Sequence, residues 1–364
     1  MIWRCDLVPQ YEKYRQRVLE LTDNVCMTGR YILADEVRKF EEAFAKYLGV
    51  KRVVSVANGT DALMLIMLAM GIGPGDEVIT SPYTAIPTIS AIVSVGAKPV
   101  FIDIDIDTFL MDISLVQQAI TKKTKAIIPV HIFGNMVDID ALKIVCGDIP
   151  IIEDACQAHG SSIRGQKAGS MGYAAAFSFY PTKNLGAYGD GGAIASNNEE
   201  FSDLLVKMRM YGMVDKDHII INGINSRLDE IQAAILREKL SDLDDMNEAR
   251  KAIAHRYHTK VTNQHVHHQK VNNDVVSNYH VYSVRYTGNR EGLIQKLEKD
   301  EIQTNIYYVV PLHLQEANRF LGYKEGDLPI VEKLCRQALA LTLYPELSWG
   351  ILDYVIEKIN EYGE

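Results

Sequence analysis

A lysine and a carboxylate lie at positions of the sequence where each could take part in chemistry. Lys183 falls within F-S-F-Y-P-T-K-N-L-G-A-Y-G-D-G-G-A, residues 177–193, directly after a small, apolar run. Pro181 and the glycines that follow rule out a continuing helix or strand, so Lys183 is predicted on a bent loop that leaves a buried strand. Taken alone, it would most simply be a solvated lysine on a Gly-rich turn.

Asp154 gives this lysine a partner. It ends the apolar run I-P-I-I-E-D, which predicts a strand and places the carboxylate at a strand end, where α/β proteins bind ligands. A carboxylate and a lysine delivered in this way suit pyridoxal phosphate, because its pyridine nitrogen needs an acidic partner and its aldehyde needs an amine. The two residues therefore predict a pyridoxal phosphate site.

A candidate anion site lies at N-G-T-D-A-L, residues 58–63. The pattern predicts a turn that feeds an apolar helix, and the backbone N–H groups around Gly59 and Thr60 would face an anion at the helix start. An ordinary Asn-Gly turn with a capping Thr explains the same residues, and the local pattern alone favours that simpler interpretation.

Several ordered motifs together carry a family resemblance. E-D-A-C-Q-A-H-G at 153–160 and the lysine segment resemble the DegT/DnrJ/EryC1/StrS family of sugar aminotransferases. The resemblance runs over nearly the whole chain and includes G-R-Y-I-L at 29–33, N-G-T-D-A-L at 58–63, D-I-D at 103–105, P-V-H at 129–131 and N-S-R-L-D-E-I-Q-A-A at 225–234. Such a series is far more specific than one glycine pattern.

The resemblance implies roles for the residues around the cofactor ring. Lys183 would form the Schiff base with pyridoxal phosphate and then return as the general base and acid of the proton transfer. Asp154 would keep the pyridine nitrogen protonated. Gln157 would contact the ring hydroxyl, although a polar residue at a strand end needs no such role.

It also implies how the cofactor phosphate is held. Gly59 and Thr60 match the pair that binds this phosphate, which reverses the preference for a simple turn. Ser178 matches a further phosphate ligand, and a buried hydroxyl would need some such partner. Asn225 matches the residue that reaches the phosphate from a neighbouring subunit, so the resemblance implies a homodimer with shared active sites.

The sequence departs from the family at one position. Where relatives commonly carry an aromatic residue that lies on the cofactor ring, the segment S-P-Y-T-A-I-P-T has Ala85. Either Tyr83 takes that place from a shifted backbone, or small groups cover the ring face.

The expected function is transfer of an amino group from glutamate or glutamine to a nucleotide-linked keto-deoxysugar. Y-P-T-K-N-L-G-A-Y-G-D-G-G is more similar to members that act at the sugar C3, with a dTDP-3-keto-6-deoxyhexose as substrate, than to the F-H-G-T-K type common at C4. A C4 enzyme remains the alternative within the family. The dehydratase branch carries histidine in place of the lysine, and a non-catalytic, cofactor-binding regulatory protein would have less use for Lys183, Asp154 and Ser178 together.

Composition limits the class of protein. The 364 residues are 47% hydrophobic, enough for one large domain and one smaller domain. A net charge of -9 argues against nucleic acid as a partner. The most apolar stretch, residues 62–70, is too short to span a bilayer, and five cysteines without metal-type pairing fit reduced thiols. We therefore expect a cytoplasmic enzyme with no membrane partner.

The elements that must position these residues follow from the alternation of strand-like and helical runs over residues 76–155. This pattern predicts a mainly parallel sheet covered by helices on both faces. The resulting expectation is an α/β, fold-type I pyridoxal phosphate enzyme. It has a large three-layer α/β/α domain over residues 1–245, including an N-terminal arm, and a smaller α+β domain over residues 246–364.

Two further expectations concern the second half of the chain. The pattern from Leu228 to about Tyr257 predicts one long helix. Five histidines between 255 and 268 invite a metal interpretation, but H-V-H-H has the composition of a polar loop and no carboxylate or cysteine set completes a site. We expect no metal there.

Overall fold

A central sheet of seven strands carries the large part of the molecule, which is an α/β fold as predicted. The computed structural model describes residues 1–363. The strands of this part are β1 Arg52–Val56, β2 Glu77–Thr80, β3 Lys98–Phe101, β4 Thr124–Ile128, β5 Ile152–Asp154, β6 Ser162–Ile163, β7 Gln166–Lys167, β8 Ala174–Ser178 and β9 Gly192–Ser196.

The sheet is parallel except at one strand. Two runs, β1-β9-β8-β5 and β3-β2-β4, meet through parallel bridges that join Ile127 to Ile151 and Val130 to Asp154. Only β9 runs antiparallel to its neighbours β1 and β8 among these pairings. Because β5 and β8 are parallel, their carboxyl ends bring Asp154 and Ser178 to the same edge of the sheet.

Eight helices belong to the large part within the residues that the structure describes. They are α1 Val8–Thr28, α2 Asp35–Leu48, α3 Gly59–Ala69, α4 Ile86–Ser94, α5 Val116–Ala119, α6 Ile139–Cys146, α7 Glu199–Met208 and α8 Glu230–Leu240, with 3-10 turns at Ile113–Leu115 and Ile132–Gly134. The first two helices end at Gly29 and Gly49, whose φ angles of 66° and 74° suit glycine at a helix C-terminus.

The predicted single helix from Leu228 to about Tyr257 is wrong, because the segment forms α8 and then α9, Leu243–Lys260. At the break, Ser241 Oγ donates to the carbonyl of Glu238 at 2.7 Å, and Asp242 accepts from the Tyr14 hydroxyl at 2.7 Å. The Asp242 carboxylate thus ties the junction between α8 and α9 to α1, while the Ser241 hydroxyl bonds back to the last turn of α8.

The small part is an α+β unit. It contains β10 Val266–His268, β12 Tyr282–Tyr286, β13 Ala338–Leu341, α10 Arg290–Lys299, α11 Pro329–Gln337 and α12 Trp349–Glu361, with 3-10 turns at Leu312–Leu314 and Glu316–Leu321. Between β10 and β12 in the chain, β11 Val275–Val276 pairs antiparallel with β6 of the large part. Strands β10, β12 and β13 form an antiparallel sheet in that order. The interpretation of H-V-H-H as a loop is therefore wrong, since residues 266–268 are a strand.

The main hydrophobic cluster fills the large part and extends into α11 and β13, and a smaller one lies within the small part. The smaller one combines Ile253 and Tyr257 of α9 with residues of β12, β13 and α12. Residue 245, the predicted domain boundary, lies in the first turn of α9, and the division there stays a prediction. Residues 2–4 also contact the small part, because Ile2 bridges Ile302 and the Leu343 amide donates to the Arg4 carbonyl at 3.0 Å.

Across residues 1–363, no helix combines the length and apolar character that a membrane crossing requires.

Candidate active site

A cavity of about 670 Å³ opens at the carboxyl ends of β5 and β8. It brings together residues from seven separate stretches of the chain, which include the start of α3, the start of α4 and the loop after β8. Six of the seven residues predicted for the site line it, namely Gly59, Thr60, Asp154, Gln157, Ser178 and Lys183.

Asp154 is fixed at the cavity by neutral donors. Its Oδ2 accepts from the Thr88 hydroxyl at 2.8 Å, and its Oδ1 accepts from the Cys156 amide at 3.2 Å. The side chain is 5% exposed, and no basic side chain within residues 1–363 forms an ion pair with it. A desolvated carboxylate of this kind suits a protonated pyridine nitrogen, which would supply the missing positive charge.

The start of α3 forms a cradle for an anion. Asn58 caps the helix by accepting from the Asp61 amide at 2.8 Å, while the amides of Gly59 and Thr60 have no intrahelical carbonyl to reach. A Cβ atom at Gly59 would lie 2.9 Å from both Cys156 Sγ and Ser178 Cβ. The backbone therefore approaches the end of β8 more closely than a residue with a side chain would allow.

Ser178 completes this cradle. Its Oγ accepts from the Tyr180 amide at 3.3 Å, which leaves the hydroxyl proton to donate to a ligand. Together with the two amides at the start of α3, it offers the neutral donors that a phosphate group needs. The residues present fit the phosphate and the ring of the predicted cofactor.

Lys183 lies on a loop pinned by its own backbone. Its amide donates to the Tyr180 carbonyl at 2.8 Å, and the Ala187 amide donates to the Phe179 carbonyl at 2.8 Å. Burial lowers the pKa of the Lys183 amine, while nearby Cys156 and Asp154 act in the opposite direction. Because only the neutral amine is a nucleophile, a lowered pKa favours covalent chemistry at this position.

Gln157 is held between the two parts of the molecule. Its Oε1 accepts from the Phe133 amide at 2.8 Å, and its Nε2 donates to the Tyr308 hydroxyl at 3.1 Å. Burial raises the pKa of Tyr308, so this phenol stays protonated. Tyr308 lines the cavity from the small part, and sequence reasoning missed it because residue 308 lies far along the chain without a distinctive motif.

A network of asparagines behind Lys183 was also missed. Asn184 donates from Nδ2 to Asn247 Oδ1 at 2.7 Å and to the Asn278 carbonyl at 3.0 Å. His280, which lines the cavity, donates from Nδ1 to Asn184 Oδ1 at 3.1 Å. Burial is the largest cause of a lowered pKa at His280, and the charge of Lys183 is the second. The one available signal was that Asn184 directly follows the lysine.

The structure also bears on the two alternatives for the ring face. Ala85 lines the cavity, whereas Tyr83 is 1% exposed and packs edge-on against Tyr308 at 4.9 Å between ring centroids. Tyr83 thus lies behind Tyr308, which lines the cavity, and does not line the cavity itself. Small groups at Ala85, and not Tyr83, occupy this side of the cavity.

Asn225, the seventh predicted residue, lies outside this cavity. It is exposed and pairs with Met210 across an irregular hairpin. Its assignment to a neighbouring subunit's phosphate stays a prediction.

The histidine-rich segment is organised around a tyrosine. The rings of His258 and His268 stack with centroids 4.2 Å apart, and the Tyr282 hydroxyl lies 2.7 Å from His268 Nδ1. In the described part of the chain, no three His, Cys, Asp or Glu side chains are grouped as a metal site would require.

Comparison with known proteins gives a consistent result. The model of the DegT/DnrJ/EryC1/StrS aminotransferase family matches residues 12–360. A "pleiotropic regulatory protein" of Geobacillus stearothermophilus is 43% identical over 98% of this chain and 97% of its own length. The dTDP-3-amino-3,4,6-trideoxy-alpha-D-glucose transaminase of Micromonospora megalomicea subsp. nigra is 41% identical over 97% of this chain and 96% of its own.

A third relative and two solved structures agree with these. The dTDP-3-amino-3,6-dideoxy-alpha-D-galactopyranose transaminase of Aneurinibacillus thermoaerophilus is 41% identical over the full length of both chains. S. venezuelae DesV, solved in complex with a ketimine intermediate, superimposes with a TM-score of 0.96 at 38% identity, covering 99% of this chain and 98% of its own. NtdA of Bacillus subtilis, solved with the bound cofactor PMP, gives a TM-score of 0.88 at 31% identity, covering 95% of this chain and 81% of its own.

Proposed function

This chain belongs to the DegT/DnrJ/EryC1/StrS aminotransferase family, and we propose that it aminates C3 of a dTDP-linked 3-keto-6-deoxyhexose. The observation that carries this proposal is its 41% identity, over nearly the whole length of each chain, to two dTDP-3-amino-sugar transaminases. The exposed Tyr180 of the Y-P-T-K segment lines the cavity, where the C4 type has histidine. Both features favour C3 over C4.

The broader predictions are confirmed. The protein is a nucleotide-sugar aminotransferase, and its cofactor is pyridoxal phosphate. When bound, this cofactor carries the amino group and accepts electron density from the substrate carbon.

We infer the following division of work among the chain's own residues. The amine of Lys183 binds the cofactor and then takes and returns a proton at Nζ. Burial disfavours the charged form, which lowers the pKa of this amine and favours the return of the proton. Asp154, held by Thr88, keeps the proton of the pyridine nitrogen. The amides of Gly59 and Thr60 and the Ser178 hydroxyl hold the phosphate, and Gln157 the ring hydroxyl.

The test of the acceptor uses single turnovers. Protein loaded with pyridoxamine phosphate is mixed separately with the 3-keto and the 4-keto isomer of a dTDP-6-deoxyhexose, and the amino-sugar product is identified by mass spectrometry and NMR. We expect product from the 3-keto isomer only. Product from the 4-keto isomer alone would overturn the C3 assignment, and Lys183→Ala protein loaded in the same way controls for non-enzymatic transfer.

We propose glutamate or glutamine as the amino donor. The half-reaction is followed by the absorbance change when each amino acid is added to the pyridoxal phosphate form, with alanine as the control. A response to alanine equal to that with glutamate and glutamine would contradict this choice.

We also propose a homodimer with shared active sites. Asn225 is exposed and lies outside the cavity of its own chain, as a residue that serves a neighbour would. Large apolar side chains are exposed on the same hairpin and near the end of α1, namely Ile219 at 63%, Ile220 at 61% and Met27 at 80%. Exposed apolar side chains on the hairpin that carries Asn225 support an interface there.

A further inference from the structure

Helix α8 forms hydrogen bonds with the loop that follows Lys183 at two points. Lys239 donates from Nζ to the Gly186 carbonyl at 2.5 Å, and Gln232 Oε1 accepts from the Tyr188 amide at 2.8 Å. The two helix residues are seven apart and therefore share one face of α8. Both ends of the short segment 186–188 are thus held by the same rigid element.

Helix α8 is itself held in place on two sides. Glu230 accepts from the amides of Ala34 and Val37 at 2.7 and 3.0 Å, which ties its first turn to α2. On another side, Ile235 packs with Tyr14 of α1. Because α8 is fixed in this way, the loop can move relative to it only if the hydrogen bonds from Lys239 and to Gln232 are lost.

The chemistry of Lys239 is unusual for a structural residue. Its side chain is 1% exposed, and burial lowers its pKa to about 8, with Glu346 of the small part acting in the opposite direction. Its ammonium also lies 4.9 Å from the centroid of the Tyr188 ring. A buried ammonium costs stability unless it is fully paired, so an apolar side chain would serve the core at least as well.

We propose that Lys239 is a positioning residue for the aminotransferase reaction, which fixes the Gly186 carbonyl and thereby the loop that presents the Lys183 amine. This inference rests on the proposed role of Lys183. Gly186 has no room for a side chain, because an added Cβ would collide with the carbonyls of Pro181 and Lys183. The backbone between 181 and 186 is therefore folded on itself, and an anchor at Gly186 constrains Lys183 directly.

The experiment compares Lys239→Met with wild type in the cofactor-loaded protein, and uses Lys98→Met, at an exposed lysine, as the charge-removal control. Amide hydrogen exchange is measured by mass spectrometry on peptides that cover residues 180–190. We expect exchange about tenfold faster there and unchanged elsewhere, because one local hydrogen bond is lost while the fold remains. The melting temperature should be unchanged or higher.

Kinetics supply the second readout. Lys239→Met should lower kcat while leaving KM for the keto-sugar unchanged, and Lys239→Arg, which retains a donor, should recover part of the loss. Gln232→Leu, which removes the acceptor for Tyr188, should give the same local increase in exchange and serves if Lys239→Met does not fold. Unchanged exchange over residues 180–190 in a folded Lys239→Met protein would overturn the proposal, as would faster exchange across the whole chain.

The two levels of inference can fail separately. If Lys183→Ala retained turnover, the role of Lys183 would be wrong, whereas the exchange result would still show whether Lys239 orders the loop.

Discussion

Replacing Glu153 by glutamine should destabilise the protein far more than its small change in shape suggests. Glu153 is 0% exposed, and its carboxylate accepts four hydrogen bonds. Oε2 accepts from His131 Nε2 at 3.0 Å and from the Gly169 amide at 2.8 Å, while Oε1 accepts from the amides of Met171 and Gly172 at 2.8 and 2.6 Å. Every partner is a donor, so only an acceptor fits this position.

The tautomer of His131 strengthens this conclusion. Its Nδ1 accepts from the Val137 amide at 3.2 Å, so the proton of the neutral ring lies on Nε2 and faces Glu153. If the ring changed tautomer to accept from a glutamine, Nδ1–H would instead face the Val137 N–H. Either arrangement leaves at least two buried donors without an acceptor.

The size of the effect follows from that count. A hydrogen bond to a charged group contributes about 1.5 kcal/mol or more, so two lost acceptors cost roughly 3 kcal/mol. With an unfolding entropy of about 2.1 cal/mol/K per residue, a chain of 364 residues has roughly 0.8 kcal/mol/K. We therefore expect Glu153→Gln to lower Tm by about 4 °C.

The assay is thermal unfolding followed by circular dichroism, with Glu12→Gln at an exposed glutamate as the matched control. Burial acts to raise the pKa of Glu153, but the hydrogen bond from His131 and the backbone amides hold it below its ordinary value of 4.5. Its contribution is then complete above pH 4.5 and is lost as the pH falls through the folded value. The Tm difference should shrink only in that acidic range. A Glu153→Gln protein no less stable than Glu12→Gln would refute the reasoning.

Three further predictions concern the cavity. Asp154→Ala should bind cofactor but turn over roughly ten- to hundredfold more slowly, since a charge-assisted hydrogen bond contributes about 1.5 to 3 kcal/mol; a wild-type rate would assign the pyridine nitrogen to another residue. Ala85→Phe should change cofactor affinity in a fluorescence titration. Tyr83→Ala should chiefly lower the free energy of unfolding, by about 3 to 5 kcal/mol, because it empties a buried site; the reverse pattern would place Tyr83 on the ring face. Co-expressed Lys183→Ala and Asn225→Asp chains, each inactive as a homodimer, should recover one working site in a purified mixed dimer, and a proven mixed dimer without activity would contradict shared sites.

The sequence predicted the site best where its residues lie close to the strand ends that carry them. Asp154 ends an apolar run, so a strand assignment alone placed it at a strand end, whereas Ser178 was assigned through the family resemblance, and its position at the same edge of the sheet comes from the structure. The cofactor and the reaction class depended on the family resemblance, because a lysine on a Gly-rich turn has no unique meaning. The comparisons confirmed both.

The parts that escaped prediction depend on contacts between distant residues. Tyr308 meets Gln157, and Asn184 meets Asn247 and Asn278, only after the small part has docked on the large one. The break between α8 and α9 escaped for a related reason. At that break Asp242 meets the Tyr14 hydroxyl of α1, a contact that no helical periodicity within residues 228–257 could reveal.

The contact of residues 2–4 with the small part has a consequence for synthesis on the ribosome. These residues are translated long before the segments that they contact, because the partners of Ile2 and Arg4 are Ile302 and Leu343, some 300 residues further along the chain. The loop closed by this contact spans most of the chain, and such closure is slow because its entropic cost precedes any reward. The large part can therefore acquire its sheet while residues 2–4 are still unpaired, and the small part is completed only when two segments about 300 residues apart in the chain come together.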